Sequence, residues 1–217
     1  EGRSITVLLV RMYIDERIKE RDNPTGEPGS NSVPTLMLRY VRRLNKDEIP
    51  NKRKDVDVLR DARIIAWECL RQSFRSVWIK AIVAESALAQ IEENLSARDR
   101  LEYMEKKLQF LQTDETREKI HIIFDPLAEY LAAIYKVDEI CQQPDPTAAW
   151  EDFLTRVDQT LEKAEPEIIR GFLLAVRDYC LDQINQDGIP KNPRNRPGGS
   201  VSRSNPRDLP HYPDRQS

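Results

Sequence analysis

The chain has 217 residues, 33% charged and 39% hydrophobic, a balance with room for one or two globular domains around a sizeable core. Its formal charge is −3, and the proline-rich end, residues 187–217, carries six Lys and Arg against three Asp; the remainder is therefore at about −6, the wrong sign for a nucleic-acid-binding core. No apolar run approaches the roughly 18 residues that span a bilayer, no basic signal-peptide start is present, and Cys69, Cys141 and Cys180 form no C-x-x-C pair, so a cytoplasmic protein with buried, unpaired thiols is expected.

The chain opens on Glu1 and is expected to be a piece of something longer. Residues 4–21, SITVLLVRMYIDERIKER, predict a helix that is apolar nearly all round at its start and charged at its end. After the loop DNPTGEPGSNS, Ser32 and Pro34 predict the start of a second helix through Leu36, Leu38, Tyr40, Val41 and Leu44. A polar linker, NKDEIPNKRKD, separates it from the buried-helix composition of DVLRDARIIAWECLRQSF, with Asp55 or Asp57 placed to cap the first turn. SVWIKAIVAESALAQIEEN predicts a further helix, and Ser96 with Asp99 has near capping-box spacing before the helix SARDRLEYMEKKL. The period then changes: LQFLQT and KIHIIF, joined by DETRE, predict a β-hairpin.

From Pro126 the helical period returns, with Leu127, Tyr130, Leu131 and Ile134 on one face. Asp125 and Pro126 are suited to open that helix, since Pro there forfeits only an N–H that has no partner, and Asp125 is expected to cap the N–H groups that follow while its charge sits at the positive end of the dipole. The pair recurs at Asp145 and Pro146 before DPTAAWEDFLTRVDQTLEKA, whose Trp150, Phe153, Leu154, Val157 and Leu161 form an amphipathic stripe. The last helix, PEIIRGFLLAVRDYCLDQI, turns Ile169, Phe172, Leu173, Val176 and Cys180 inward, and residues 187–217 lack the large aliphatics needed to offset chain entropy and are expected to be disordered. Asp125 and Glu129 lack a second carboxylate held across a cleft, and His121 and His211 are the only histidines, so no set of residues suffices for catalysis and no cofactor is expected.

Three helices followed by a hairpin is the order of a winged-helix unit. WIKAIVAESALAQIEEN, its middle helix, carries one Lys against three Glu, which opposes DNA binding. The run FDPLAEYLAAIY resembles the end of the winged-helix domain in NACHT-type STAND nucleoside triphosphatases, where F-L-H-x-S-F-Q-E-Y-x-A-A leads into a helical domain. DARIIAWECL and EIIRGFLLAVRDYCL are similar to segments of cyanobacterial-style members, and SITVLLVRMYIDERI resembles the helical domain after their nucleotide-binding module, so the likeness spans about residues 1–185.

The resemblance implies the regulatory arm of a signalling ATPase, with an upstream nucleotide-binding domain or a partner protein as its contact and oligomerisation in the full-length context. Two departures accompany it. The glycines, at 2, 26, 29, 171, 188, 198 and 199, never form G-x-x-x-x-G-K-[ST], so the chain cannot cradle a triphosphate. The family histidine that contacts phosphate falls on Phe124, with His121 three residues earlier; a phenyl ring donates nothing to a phosphate.

The expected architecture is mainly α: an N-terminal helical segment (1–50), a winged-helix-like unit with one small hairpin (57–135), a C-terminal helical pair (136–186) and the tail (187–217). The expected role is a non-catalytic arm that relays conformational change through helix packing, with no nucleic acid and no membrane. Asp125, Pro126, Glu129 and Tyr130 are the hinge candidates, and Phe124 and His121 the candidate sensor positions. The alternative is a free-standing adaptor that docks a partner on Trp150, Phe153, Val157 and Leu161.

Overall fold

Ser32 begins the first described helix, α1 (Val33–Leu44): its hydroxyl accepts from the Thr35 amide at 3.3 Å, and Pro34 lies in the first turn. The computed structural model describes residues 32–186 apart from 47 and 164, together with the isolated positions 14 and 18. The helix expected over residues 4–21, those two positions aside, and the tail at 187–217 lie outside the described residues.

Helix α2 (Asp55–Leu70) is buried along most of its length, as its composition predicts, but neither expected aspartate caps it. Lys54 stands at the N-cap without a side-chain bond, and the Asp55 carboxylate instead accepts from the Asn45 amide at 2.6 Å, tying α2 back to the end of α1. Phe74 ends the turn after α2 with φ 52°, a left-handed conformation that costs a bulky residue roughly 1–2 kcal/mol. Burial of its ring among aromatic side chains opposes that cost.

The helix expected over SVWIKAIVAESALAQIEEN starts late. Ile79–Lys80 forms strand β1, and α3 (Ala81–Ala89) follows directly. The competing interaction is non-local: Ile79 pairs with Ile120 and Lys80 with Lys119, and the Ala81 amide extends the ladder to the Glu118 carbonyl at 2.7 Å. Ser96 caps α4 (Ala97–Glu102) as its spacing predicts, accepting from the Asp99 amide at 3.1 Å, and the helix continues as a π-helical turn, Tyr103–Lys107. Strands β2 (Leu111–Thr113) and β3 (Lys119–Ile122) form the expected hairpin. The sheet is antiparallel in the order β1-β3-β2, one strand richer than expected.

Three helices complete the fold: α5 (Asp125–Cys141), α6 (Pro146–Leu161) and α7 (Pro166–Gln186). Helix α5 lies between α2 and α7 and packs most extensively on both, so Leu127, Leu131, Ala132 and Ala133 are fully buried. The division expected between residues 135 and 136 falls inside this unbroken helix. The architecture is mainly α, as expected, with one small antiparallel sheet. Of the thiols, Cys69 is buried and pushed up to about 12 by that burial, which makes it unreactive. Cys180 is half-buried, and Cys141, expected inside, is exposed at the end of α5.

Candidate functional site at the α5 junction

The four hinge candidates all lie where β3 hands over to α5. The two Asp-Pro pairs, alike in sequence, behave differently. Asp145 caps α6, accepting from the Ala148 amide at 3.1 Å. Asp125 caps nothing: Phe124, half-buried, is the N-cap of α5, and the Asp125 carboxylate reaches back to His121 Nε2 at 3.2 Å. The capping expectation for Asp125 is therefore corrected, and the reason is β3, which places a ring nitrogen within the carboxylate's reach. Pro126 is buried in the first turn.

His121 is closely held. Its Nε2 also lies 3.0 Å from the Ser76 hydroxyl, and its ring stacks on Trp78 at 5.2 Å between centroids. Ser, His and Asp thus converge, yet both partners meet the same nitrogen. A nucleophile relay needs the carboxylate on Nδ1 and the hydroxyl on Nε2, so this arrangement orients a ring and activates no serine. Among the described residues no group of His, Cys, Asp and Glu is arranged to hold a metal ion, and no helix is long and apolar enough to cross a membrane.

One turn further along α5, Glu129 and Tyr130 meet α7. The Tyr130 hydroxyl donates to the Asp178 carboxylate at 2.7 Å, and about two turns further along α5 Asp138 accepts from the hydroxyl of the adjacent α7 residue, Tyr179, at 2.7 Å. Burial and these acceptors keep both phenols protonated. Glu129 has no hydrogen bond or ion pair among the described residues; its carboxyl rests on Gly171 of α7, in space that a Cβ there would fill. Burial first, and the Asp125 carboxylate second, push its carboxyl up to about 7 from the ordinary 4.5.

A carboxyl that keeps its proton longer in the folded than in the unfolded chain stabilises the fold in full below about pH 4.5, and that contribution is lost as the pH rises through 7. Glu129→Gln is expected to raise the melting temperature at pH 8.5 by roughly 2–6 °C, for on the order of 1–2 kcal/mol, and to leave it nearly unchanged at about pH 4. Thermal melts at the two pH values check this; an equal effect at both would show that Glu129 does not titrate in the interface.

Phe153 and Val157 are buried, with Trp150 and Leu161 half-buried beside them. Phe153 packs edge-on against Phe74 at 5.8 Å and against Phe172 at 6.3 Å. The stripe expected to offer a docking face is thus an internal packing face, and Leu154 is the large apolar residue that α6 leaves exposed.

A second cluster escaped sequence reasoning. Asp61 of α2, fully buried, accepts from Arg53 at 2.7 Å and from the Nε of Arg100 at 2.8 Å, with a further bond from Arg100 Nη2. Glu93 takes Arg53 at 2.6 Å and Arg60 at 2.7 Å, while Arg100 also donates to the Leu88 carbonyl at 2.9 Å. Asn45 and Tyr103 close the network, the tyrosine hydroxyl donating to the Asn45 side chain at 2.5 Å. It joins the end of α1, the linker, α2, α3 and α4. The available signal was Asp61 itself, a charge on the apolar stripe Val58, Ala62, Ile65.

Residues 161–192 match the family model described as NACHT C-terminal Helical domain 4, a stretch that starts at the last residue of α6 and takes in all of α7. A search of curated proteins and a search of solved structures find no match to the chain.

Proposed function

We propose, from the premise that the C-terminal part of the chain is a NACHT-type C-terminal helical region, that the whole is the winged-helix and helical arm of a STAND-type signalling ATPase. The arm relays conformational change by helix packing and hydrolyses nothing itself. One observation carries this reading: α5 is a single helix that continues from the β2–β3 hairpin, packs on α2, and is fixed to the matched helix α7 by Tyr130–Asp178, Tyr179–Asp138 and Glu129 on Gly171. A displacement at the hairpin would carry α7 with it. The topology α2-β1-α3-α4-β2-β3, with the hairpin at one edge, supports the winged-helix part.

The contact partner in this reading is an upstream nucleotide-binding domain, in a cytoplasmic parent that oligomerises when released. The 217 residues contain no G-x-x-x-x-G-K-[ST], the motif whose backbone cradles a triphosphate. Calorimetric titration of the purified chain with Mg²⁺ and ATP is expected to show no saturable binding at micromolar nucleotide. Saturable binding would overturn the reading, because an arm of this kind leaves the nucleotide to its neighbour.

A further inference from the structure

We propose that the groove along α2 is a docking surface for an acidic, amphipathic segment of a partner protein. Arg60, Arg63, Trp67 and Arg71 follow one another at spacings of three or four residues, a single stripe on α2. The stripe faces a groove of about 780 Å³ between α2, the end of α3 and the end of α5, and this opens past Trp67, Arg71 and Glu139 into a recess of about 520 Å³ beside α6. Apolar surface lines the floor at Ile64, Trp67 and Tyr135, and Val56 stands at the rim 73% exposed.

The charge of this groove runs against that of the chain. Six cations line its two parts, Arg42, Arg60, Arg63, Arg71, Lys136 and Arg156, against three carboxylates, on a protein of net charge −3. Four of these cations are paired with carboxylates, Arg71 with Glu68 at 3.0 Å, Lys136 with Glu139 at 2.6 Å, Arg63 with Asp138 at 3.4 Å and Arg60 with Glu93 at 2.7 Å. Arg42 and Arg156, in the groove and the recess respectively, have no carboxylate partner among the described residues. An occupant that brings carboxylates to these cations and one apolar stripe to Val56 and Trp67 satisfies both features.

Residues 187–217 carry about +3, and residues 1–31 hold six carboxylates against five Lys and Arg, so neither stretch is the strongly acidic segment that such an occupant requires. Charge complementarity therefore points to an acidic partner outside these 217 residues, and this holds whether or not the arm reading does.

The test titrates the full chain into a fluorescent helical peptide of about 18 residues, one turn-spaced stripe of Leu and Glu elsewhere, long enough to span about 27 Å. A Lys-for-Glu peptide and a single-stranded oligonucleotide of similar charge serve as controls. The Glu peptide is expected to bind saturably and more weakly as salt rises, and the Lys peptide not at all. Arg63→Glu with Arg71→Glu should weaken binding about tenfold. Val56→Asp, at an exposed site whose side chain makes no hydrogen bond, should weaken it independently without disturbing the fold. No saturable binding of the Glu peptide, equal binding of the two peptides, tighter binding of the oligonucleotide, or unchanged affinity in both variants would each overturn the proposal.

Discussion

Asp61→Ala is expected to destabilise the fold by about 3–5 kcal/mol, the cost of leaving a buried guanidinium without its counter-charge. Arg100 is 1% exposed and Arg53 6%, and both rely on the same carboxylate. Glu93 compensates only in part, since it is shared with Arg60. Arg53 and Arg100 are then left with Glu93, which they share with Arg60, itself also paired with Asp57 at 3.3 Å. Against a total stability of 5–15 kcal/mol for a domain of ordinary size, the loss should lower the melting temperature by roughly 6–20 °C. A melt within about 2 °C of the parent chain would show that water reaches the cluster and that its charges are not truly buried. Replacing Asp61 and Arg100 together by Ala should cost less than the two single changes added, because each single change strands the partner of the other.

The cluster also shows why some of this fold was legible in the sequence and some was not. Ser32 capping α1, Asp145 capping α6, Ser96 with Asp99, and the β2–β3 hairpin all depend on residues within a few positions of one another, and all were expected. Strand β1 was not, because two residues form a strand only when another strand about forty positions on supplies the ladder, here Ile79 with Ile120. Asp125 reads like Asp145 until β3 is folded; only then does His121 stand four residues back within reach of its carboxylate. The Asp61 network fails for the same reason at longer range, since Asp61 and Arg100 are 39 positions apart. The cationic stripe on α2 was hidden differently. Its helix was expected to be a buried one from its composition, and most of it is buried, but Arg60, Arg63 and Arg71 line the groove left between α2 and the ends of α3 and α5.

Phe172→Ala is expected to cost about 3–5 kcal/mol, and how that loss is distributed tests the relay. The ring is fully buried, stacked on Phe74 at 5.3 Å with 7° between planes, and in contact with Trp67 of α2 and Phe153 of α6. It is the point at which the matched helix meets α2 and the strained turn at Phe74. Removing it leaves a cavity and withdraws the support for the left-handed φ at Phe74, so the turn after α2 should loosen with α7. Hydrogen exchange resolves the outcome by segment. If α5 transmits as proposed, amides in the β2–β3 hairpin lose protection together with those of α7, because the elements open as one cooperative unit. If α7 and the turn after α2 exchange faster while β2 and β3 keep their protection, the C-terminal helix opens independently, and α5 serves as a platform for it and does not pass displacement from one side to the other.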